Sequence, residues 1–272
     1  MTFHSILLTV HNKQDMIKKV VSSITKNTKG PYELLIVFDG CSDDSEKIVT
    51  NYLKKYKNRS IKKKYLYAND VFETKANNIG LKECSGDYIT IIQDDMIIKE
   101  NSWNLNLLKP FQKYSDVFSV TAHTSHNLGY VEPKNKLEKH GNYYMLNFPD
   151  PIGFRTTKEI PRRDEFNIRL TSNRGPLMID AEYLEKLNFL DEVYAPLTWD
   201  DHDLNIRARI NYGLVTGYYP IDFVSEVRWG STRDKNGKIR DWLVEAEKKN
   251  MKIIFQRYEN IIKQRIKEKR PI

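Results

Sequence analysis

Two adjacent carboxylates interrupt an apolar segment in the first half of the chain. Asp94 and Asp95 follow Tyr88–Ile92, a run apolar enough to be a buried strand. Two like charges at a strand end repel each other unless a cation compensates for them. A hard divalent metal with oxygen ligands is the usual compensating ion. The pair therefore predicts a metal site at the edge of the core.

A third acid could share that site. Asp39 ends the apolar run of residues 32–38, and Asp94 and Asp95 end the run of residues 88–92. In a parallel sheet the carboxyl ends of the strands meet at one edge, where ligands bind, so these acids would converge on one cleft. The alternative is ordinary, because Asp after a strand is also a good turn residue.

A later acidic cluster precedes a segment with helical periodicity. Asp200, Asp201 and Asp203 surround His202 at the start of this segment. Asp before a helix is a common N-cap, which is the competing explanation for the whole cluster. For Asp203 we expect a cap or an ion pair with Arg207, four residues further on.

Composition and cysteine usage narrow the class of protein. The chain has 272 residues, of which 40% are hydrophobic, so it can bury a substantial core. Cys41 and Cys84 lack metal-ligand spacing and do not suggest a disulfide framework, which favours a reducing compartment. No segment approaches about eighteen apolar residues, and the amino terminus does not resemble a signal peptide. We therefore expect a cytoplasmic protein.

The positive charge is concentrated in one segment. The formal net charge is +8, and residues 248–272 contain nine Lys or Arg against two Glu, a local net charge of +7. The rest of the chain is nearly balanced, which argues against a nucleic-acid partner. We expect this basic segment to be either a solvated helix packed on the body, which we favour, or a peripheral membrane contact.

The order of apolar runs predicts an α/β protein. Three strand-helix units and a fourth strand imply a parallel sheet with right-handed crossovers. Residues 124–166 show weak periodicity, which indicates either a functional lid or elements missed by the pattern. The predicted strands are 5–10, 32–38, 64–68, 88–92, 117–122, 177–180 and 217–227, and the predicted helices are 16–24, 45–56, 74–83, 103–114, 181–187, 203–212 and 241–269.

Five motifs occur in an order that resembles the family 2 glycosyltransferases. They are LLTVHNK, LLIVFDGCSDDS, KANNIGLKECSGDYITIIQDDM, GPLMIDAEYLEKLNFLDE and WDDHDLNIRAR, within residues 5–233. The resemblance implies the GT-A fold, a Rossmann-like and mostly parallel sheet flanked by helices, with a C-terminal helical segment. It implies one domain over residues 1–240, with a nucleotide-binding half (1–100) and an acceptor-binding half (101–240), followed by a basic helix or tail (241–272).

The resemblance also assigns a donor site. Asp39 stands where the family has an acid that contacts the base of the nucleotide, and Gly175 lies in the loop beside the donor sugar. Arg228 stands where the family often has a metal-binding His. The residues implied to bind the nucleotide-sugar are Thr9, Val10, Asn12, Asp39, Lys75, Asn78, Asp94, Gly175, Asp200 and Arg228.

The metal and the base follow from the same resemblance. Asp95 matches the last acid of the family's D-x-D motif, with Gln93 at its first position, and is implied to ligate Mn²⁺ or Mg²⁺. Asp201 aligns with the catalytic base, which would deprotonate an acceptor hydroxyl in an inverting transfer.

The implied activity is that of a hexosyl- or N-acetylhexosaminyltransferase. A UDP-sugar is the favoured donor, and a glycan or a lipid-linked molecule is the expected acceptor. Two alternatives remain, a non-catalytic nucleotide-sugar or carbohydrate-binding protein on the same fold and a nucleic-acid-binding protein that uses the basic segment.

Overall fold

A ten-stranded sheet runs through the protein. The computed structural model describes residues 2–58, 60–122, 125–126, 136–140, 143–147, 165–225 and 240–268. The strands are β1 (His4–Val10), β2 (Tyr32–Asp39), β3 (Ile61–Ala68), β4 (Tyr88–Ile92), β5 (Met96–Ile98), β6 (Val117–Thr121), β7 (Ser125–His126), β8 (Lys136–His140), β9 (Tyr143–Asn147), β10 (Asn167–Arg169), β11 (Thr171–Ser172), β12 (Leu177–Asp180), β13 (Val215–Tyr218) and β14 (Phe223–Ser225). The helices are α1 (Ile17–Asn27), α2 (Ser45–Lys55), α3 (Phe72–Leu81), α4 (Trp103–Lys113), α5 (Ala181–Lys186), α6 (Asp200–Tyr212), α7 (Asp241–Arg257) and α8 (Glu259–Glu268).

Strand direction brings the acidic segments to one edge of the sheet. The strand order is β3-β2-β1-β4-β12-β6-β13-β10-β9-β8, and β1 pairs in parallel with both β2 and β4. β12 is antiparallel to β4, with Leu177 opposite Ile91, so β12 begins where β4 ends. The loop before β12 therefore lies at the same edge as Asp39 and Asp94.

Alternating side chains of the central strands build a core on each face. On β1, Ile6 and Leu8 pack in the cluster that includes residues of α1, α2 and α4. Leu7, which points the other way, packs in the cluster that includes residues of α3, α5 and α6. Such two-sided burial explains why β1 and β2 read as continuous apolar runs rather than as alternating ones. Gly80 lets α3 approach β1 closely, because a Cβ there would lie 2.2 Å from Leu7 Cδ1.

The α/β class and the mostly parallel sheet are confirmed. The strand predicted over residues 217–227 is wrong in its bounds, because β13 and β14 divide this segment and belong to different sheets. The helix predicted over 241–269 is two helices separated at Tyr258. Residues 124–166 contain β7, β8 and β9, so the weak periodicity there concealed strands.

The C-terminal helix pair packs on the body of the protein. Ile254, Tyr258 and Ile262 are buried against Leu170 and Ile206. This arrangement matches the packed alternative for the described part of the basic segment and gives no support to a membrane contact. Among the described residues, no helix is both long enough and apolar enough to span a bilayer.

Asn250 of α7 holds the loop that leads into α6. It is fully buried, and its side-chain amide donates to the carbonyl oxygens of Tyr194 (2.6 Å), Leu197 (2.8 Å) and Thr198 (3.2 Å). Thr198 and Trp199 both have φ of 70°, a left-handed conformation that is costly for bulky residues. The helix pair thus stabilises a strained loop directly before the acidic cluster.

Asp203 supplies a second connection between α6 and α7. The predicted ion pair with Arg207 is confirmed, with 2.6 Å between Arg207 Nε and Asp203 Oδ2. The other oxygen, Oδ1, accepts hydrogen bonds from Arg257 of α7 (2.7 Å), Tyr258 (2.7 Å) and Tyr194 (3.2 Å). Asp203 is therefore a structural acid that ties the C-terminal helices to α6.

Replacing Asn250 tests this anchoring. We expect Asn250→Ala to lower the free energy of unfolding by about 2–3 kcal/mol, because buried carbonyls lose their donor. Chemical denaturation measures the change, and Asn51→Ala, at an exposed position on α2, is the matched control. Equal stability of the two variants would contradict an anchoring role.

Candidate active site

Asp94 has a cation of its own within the protein. Lys13 is buried, and its Nζ lies 3.5 Å from Asp94 Oδ1, while the main-chain N–H of His11 donates to Oδ2 (3.1 Å). Burial raises the pKa of Asp94, and the positive charge of Lys13 opposes that shift. The sequence predicts a metal that compensates both carboxylates, but Lys13 already lies beside Asp94, so Asp95 is the carboxylate that needs a metal more.

Asp95 has a carboxylate oxygen that is suited to bind a metal. It is half-buried, and among the described residues no donor reaches its Oδ1. Burial, and next the negative charge of Asp94, raise the pKa of Asp95 to about 7. A buried carboxylate oxygen without a partner is costly, so this oxygen suits a metal ligand at the end of β4.

Asp39 shapes the loop between β3 and α3. Its two carboxylate oxygens accept the main-chain N–H groups of Val71 and Phe72, each at 2.8 Å. His11 and Asp70 lie beside it, and one potential ligand atom from each of the three residues falls within a mutual distance of 4.8 Å. The oxygens of Asp39 are already engaged, whereas Asp95 keeps an unpartnered one, so Asp95 remains the better metal candidate.

The residues predicted at the end of β1 occupy three different environments. Thr9 is half-buried, Val10 belongs to the core, and Asn12 is exposed with φ of 50°. Asn12 Oδ1 accepts the N–H groups of Ser42 (2.8 Å) and Asp43 (3.3 Å). Asn12 thus joins the loops after β1 and β2, and its nucleotide contact stays a prediction.

Three other predicted donor-site residues lie on two different elements of the fold, α3 and the loop before β12. Lys75 is exposed on α3, and Gly175, with φ of 139°, is buried in the loop before β12. The side chain of Asn78 is committed to Leu190, donating to its carbonyl (2.9 Å) and accepting its N–H (3.1 Å). Arg228 lies outside the described residues. Nucleotide contacts by these residues stay predictions.

The acidic pair that opens α6 is tightly held. Asp201 Oδ2 accepts the main-chain N–H of Arg174 (2.9 Å), and its Oδ1 accepts that of His202 (2.8 Å). Asp200 Oδ1 lies 2.8 Å from Arg174 Nη2 and accepts the N–H of Asp201 (2.9 Å). Both acids are buried at the positive end of the α6 dipole, which favours negative charge.

The two neighbouring acids differ in their titration. Burial is the largest influence on Asp200 and opposes its charge, but the Arg174 guanidinium and the hydrogen bonds to Asp200 together outweigh burial, so the pKa of Asp200 is lowered. At Asp201, burial and the negative charge of Asp200 raise the pKa, and the positive charge of Arg174 lowers it. The first two effects prevail, so the pKa of Asp201 is raised. A raised carboxyl pKa makes a stronger base, which is the property required to accept a proton.

The sequence did not predict three residues of the site, which are Lys13, Glu73 and Arg174. Arg174 Nε lies 3.0 Å from Glu73 Oε1, which also accepts a hydrogen bond from Gln93 Nε2 (2.8 Å). Lys13 follows the predicted residue Asn12, and Arg174 precedes the predicted residue Gly175. A basic residue beside a predicted site residue was therefore the signal that could have identified both. Glu73 gave none, because a single Glu at the start of a helix is unremarkable.

The raised pKa of Asp95 predicts a cost to stability without metal. Between the ordinary pKa near 4 and about 7, the folded state binds more protons at Asp95 than the unfolded state, so stability falls as pH rises. In a chelator at pH 8 we expect Asp95→Asn to be more stable than the natural chain by about 2–4 kcal/mol. The advantage should shrink as pH approaches 4.

Chemical denaturation at several pH values measures this effect. Asp15→Asn, at an exposed position after β1, is the control. Added Mn²⁺ should stabilise the natural chain and not Asp95→Asn. A variant that is less stable than the natural chain at pH 8 would show that Asp95 has a structural partner instead.

Comparison with known sequences adds evidence that geometry alone cannot supply. A family model described as glycosyl transferase family 2 matches residues 5–170. A curated relative, the Campylobacter jejuni GalNAc(5)-diNAcBac-PP-undecaprenol beta-1,3-glucosyltransferase, is 23% identical over 246 residues, which cover 86% of this chain and 77% of that protein. The chain spans 13% of another relative, the Bacillus subtilis minor teichoic acid biosynthesis protein GgaB, with 27% identity over 120 residues.

Solved structures share the fold at low sequence identity. TarS from S. aureus matches with a TM-score of 0.54 and 15% identity, covering 84% of this chain and 37% of TarS. The mannosyltransferase PcManGT from Pyrobaculum calidifontis, solved with GDP-Man and Mn²⁺, matches with a TM-score of 0.58 and 11% identity, covering 80% of this chain and 54% of that one. These likenesses confirm the GT-A fold expected from the sequence motifs.

Proposed function

We propose that this chain, which belongs to glycosyltransferase family 2, moves a sugar from a UDP-sugar to an acceptor hydroxyl with inversion and with Asp201 as the base. The proposal rests on the hydrogen bonds and the raised pKa of Asp201. Both of its oxygens are oriented by main-chain N–H groups, and its pKa is raised. An inverting displacement needs such a base on the face of the sugar opposite the leaving group, and a base typically contributes about 10²–10⁴-fold.

A divalent cation fits the opposite end of the site. Asp95 would hold it through the oxygen that no described residue reaches, with Asp94 beside it. When bound, Mn²⁺ or Mg²⁺ supplies electrostatic stabilisation for the charge that develops on a departing diphosphate. Lys13, which lies beside Asp94, is a fixed positive charge that the described residues contribute at this end.

The donor is proposed to be a UDP-sugar. TarS has been solved with UDP and with UDP-GlcNAc, and the Campylobacter relative is named a glucosyltransferase. These names support UDP-linked hexoses and N-acetylhexosamines as the first donors to test. The acceptor is proposed to be a glycan on a lipid diphosphate, which is the substrate that the name of the Campylobacter relative specifies.

Replacing Asp201 tests the base. We expect Asp201→Asn to reduce transfer by at least about 10²-fold, because an amide cannot accept the acceptor's proton. UDP binding, measured by calorimetry, should change little, since the change removes the base and leaves Asp95 in place. Substantial residual turnover would remove Asp201 from the base role.

A donor panel tests the rest of the proposal. Release of UDP from UDP-Glc and UDP-GlcNAc, compared with release of GDP from GDP-Man, should be metal-dependent and selective for a uridine donor. NMR of the glycoside product should show the anomeric configuration opposite to that of the donor. If every donor binds but none is consumed with or without lipid-linked acceptors, the chain is a binding protein on this fold.

A further inference from the structure

Arg174 is a buried cation that contacts three acids of the site. Its Nε lies 3.0 Å from Glu73 Oε1, its Nη2 lies 2.8 Å from Asp200 Oδ1, and its main-chain N–H donates to Asp201 Oδ2 at 2.9 Å. The side chain is only 5% exposed. Burial of a guanidinium is costly unless it is paired and hydrogen-bonded, and the paired acids meet most of that cost here.

Arg174 contacts acids of the site through both its side chain and its main chain. The N–H that holds Asp201 belongs to the loop between β11 and β12, and the next residue, Gly175, has φ of 139°, a conformation that other residues rarely adopt. The fork of the guanidinium connects this loop at the same time to Glu73 on α3 and to Asp200 on α6.

We propose that Arg174 is a positioning residue that assigns different roles to two adjacent acids: it keeps Asp200 as a permanent counter-ion and orients Asp201 as the proton acceptor. This inference rests on the proposed function, because it takes Asp201 to be the base. Arg174 acts through Asp201 and through the loop.

The charges around Asp201 are consistent with its assignment as the proton acceptor and with that of Asp200 as the counter-ion. Arg174 from the β12 loop and Asp200 from its own helix are its charged neighbours, and His202 Nε2 lies 3.9 Å from its Oδ1. Glu73 from α3 pairs with Arg174, the cation that Asp201 and Asp200 also contact. Asp200 pairs directly with the guanidinium, whereas Asp201 is held by main-chain N–H groups, so Asp201 is the acid with the raised pKa.

The same cation links the two ends of the site. Glu73 accepts a hydrogen bond from Gln93, two residues before the proposed metal ligand, and pairs with Arg174 on its other side. The connection Gln93–Glu73–Arg174–Asp200 therefore fixes the separation between the end of β4 and the start of α6. A displacement reaction requires that separation to be constant, because small misplacements of reacting groups are costly.

Substitution of Arg174 by Met and by Lys tests the inference. We expect Arg174→Met to lower kcat by about 10²-fold, the size of a displaced general base, with the donor KM within about threefold. Loss of the positive charge makes ionisation of Asp201 harder, so the acid limb of the kcat/KM profile should move to higher pH by about one unit. Arg174→Lys retains the charge and should restore the limb, but a single ammonium cannot reproduce the fork, so kcat should recover only in part.

Two controls separate this role from stability and from the identity of the base. Arg207→Met removes another arginine that pairs with an acid of α6, and it should lower the melting temperature without moving the acid limb. Asp201→Asn, assayed in parallel, tests whether Asp201 is the base, independently of the role of Arg174. If Arg174→Met does not fold, the Lys variant decides: an unchanged kcat there would overturn the role of the fork.

Other outcomes are equally decisive. An unchanged kcat and acid limb in Arg174→Met, with Asp201→Asn inactive, would overturn the inference while leaving the proposed function intact. A variant that loses UDP binding but keeps kcat would show that Arg174 binds the donor instead. Turnover by Asp201→Asn would overturn the base assignment itself, whatever Arg174 does.

Discussion

Buried negative charge at the carboxyl edge of the sheet is the constraint to which the rest of the site responds. Asp94, Asp200 and Asp201 are held there with little access to water, and each has a specific compensating group. Lys13 and Arg174 supply full charges, while the start of α6 supplies main-chain N–H groups. Asp95 Oδ1 lacks a hydrogen-bond partner among the described residues, and for that reason Asp95 is our proposed ligand for an external cation.

Support for this edge comes from distant parts of the chain. Asn250 of α7 contacts the loop before α6, and Arg257 of α7 contacts Asp203, which lies in α6. Their contacts are buried or partly buried, so the last helices stabilise the start of α6, where the acidic cluster lies. This explains why a basic and moderately amphipathic segment is an integral layer of the described structure. Part of the positive charge of this segment forms intramolecular ion pairs, those of Arg257 with Asp191 and Asp203.

The central sheet and the acidic edge could be predicted because strong local signals specified them. β4 and β12 match their predicted bounds, since short apolar runs bounded by turn residues leave little ambiguity. The break of the last helix at Tyr258 could not be predicted from periodicity. At the break, the Tyr258 hydroxyl donates a hydrogen bond to Asp203, a contact between residues 55 positions apart. β7, β8 and β9 were missed because their segment has weak alternation.

The sequence by itself determined which chemistry was available: carboxylates at the ends of apolar runs, and motifs in the order of a known family. Only the tertiary structure decided which carboxylates are already neutralised. Lys13 and Asp94 are 81 residues apart, and Arg174 and Glu73 are 101 apart. Charge compensation falls off steeply with distance in space and is independent of distance along the chain, so no local pattern could reveal these pairs. The different titration of Asp200 and Asp201, adjacent and identical in type, has the same origin.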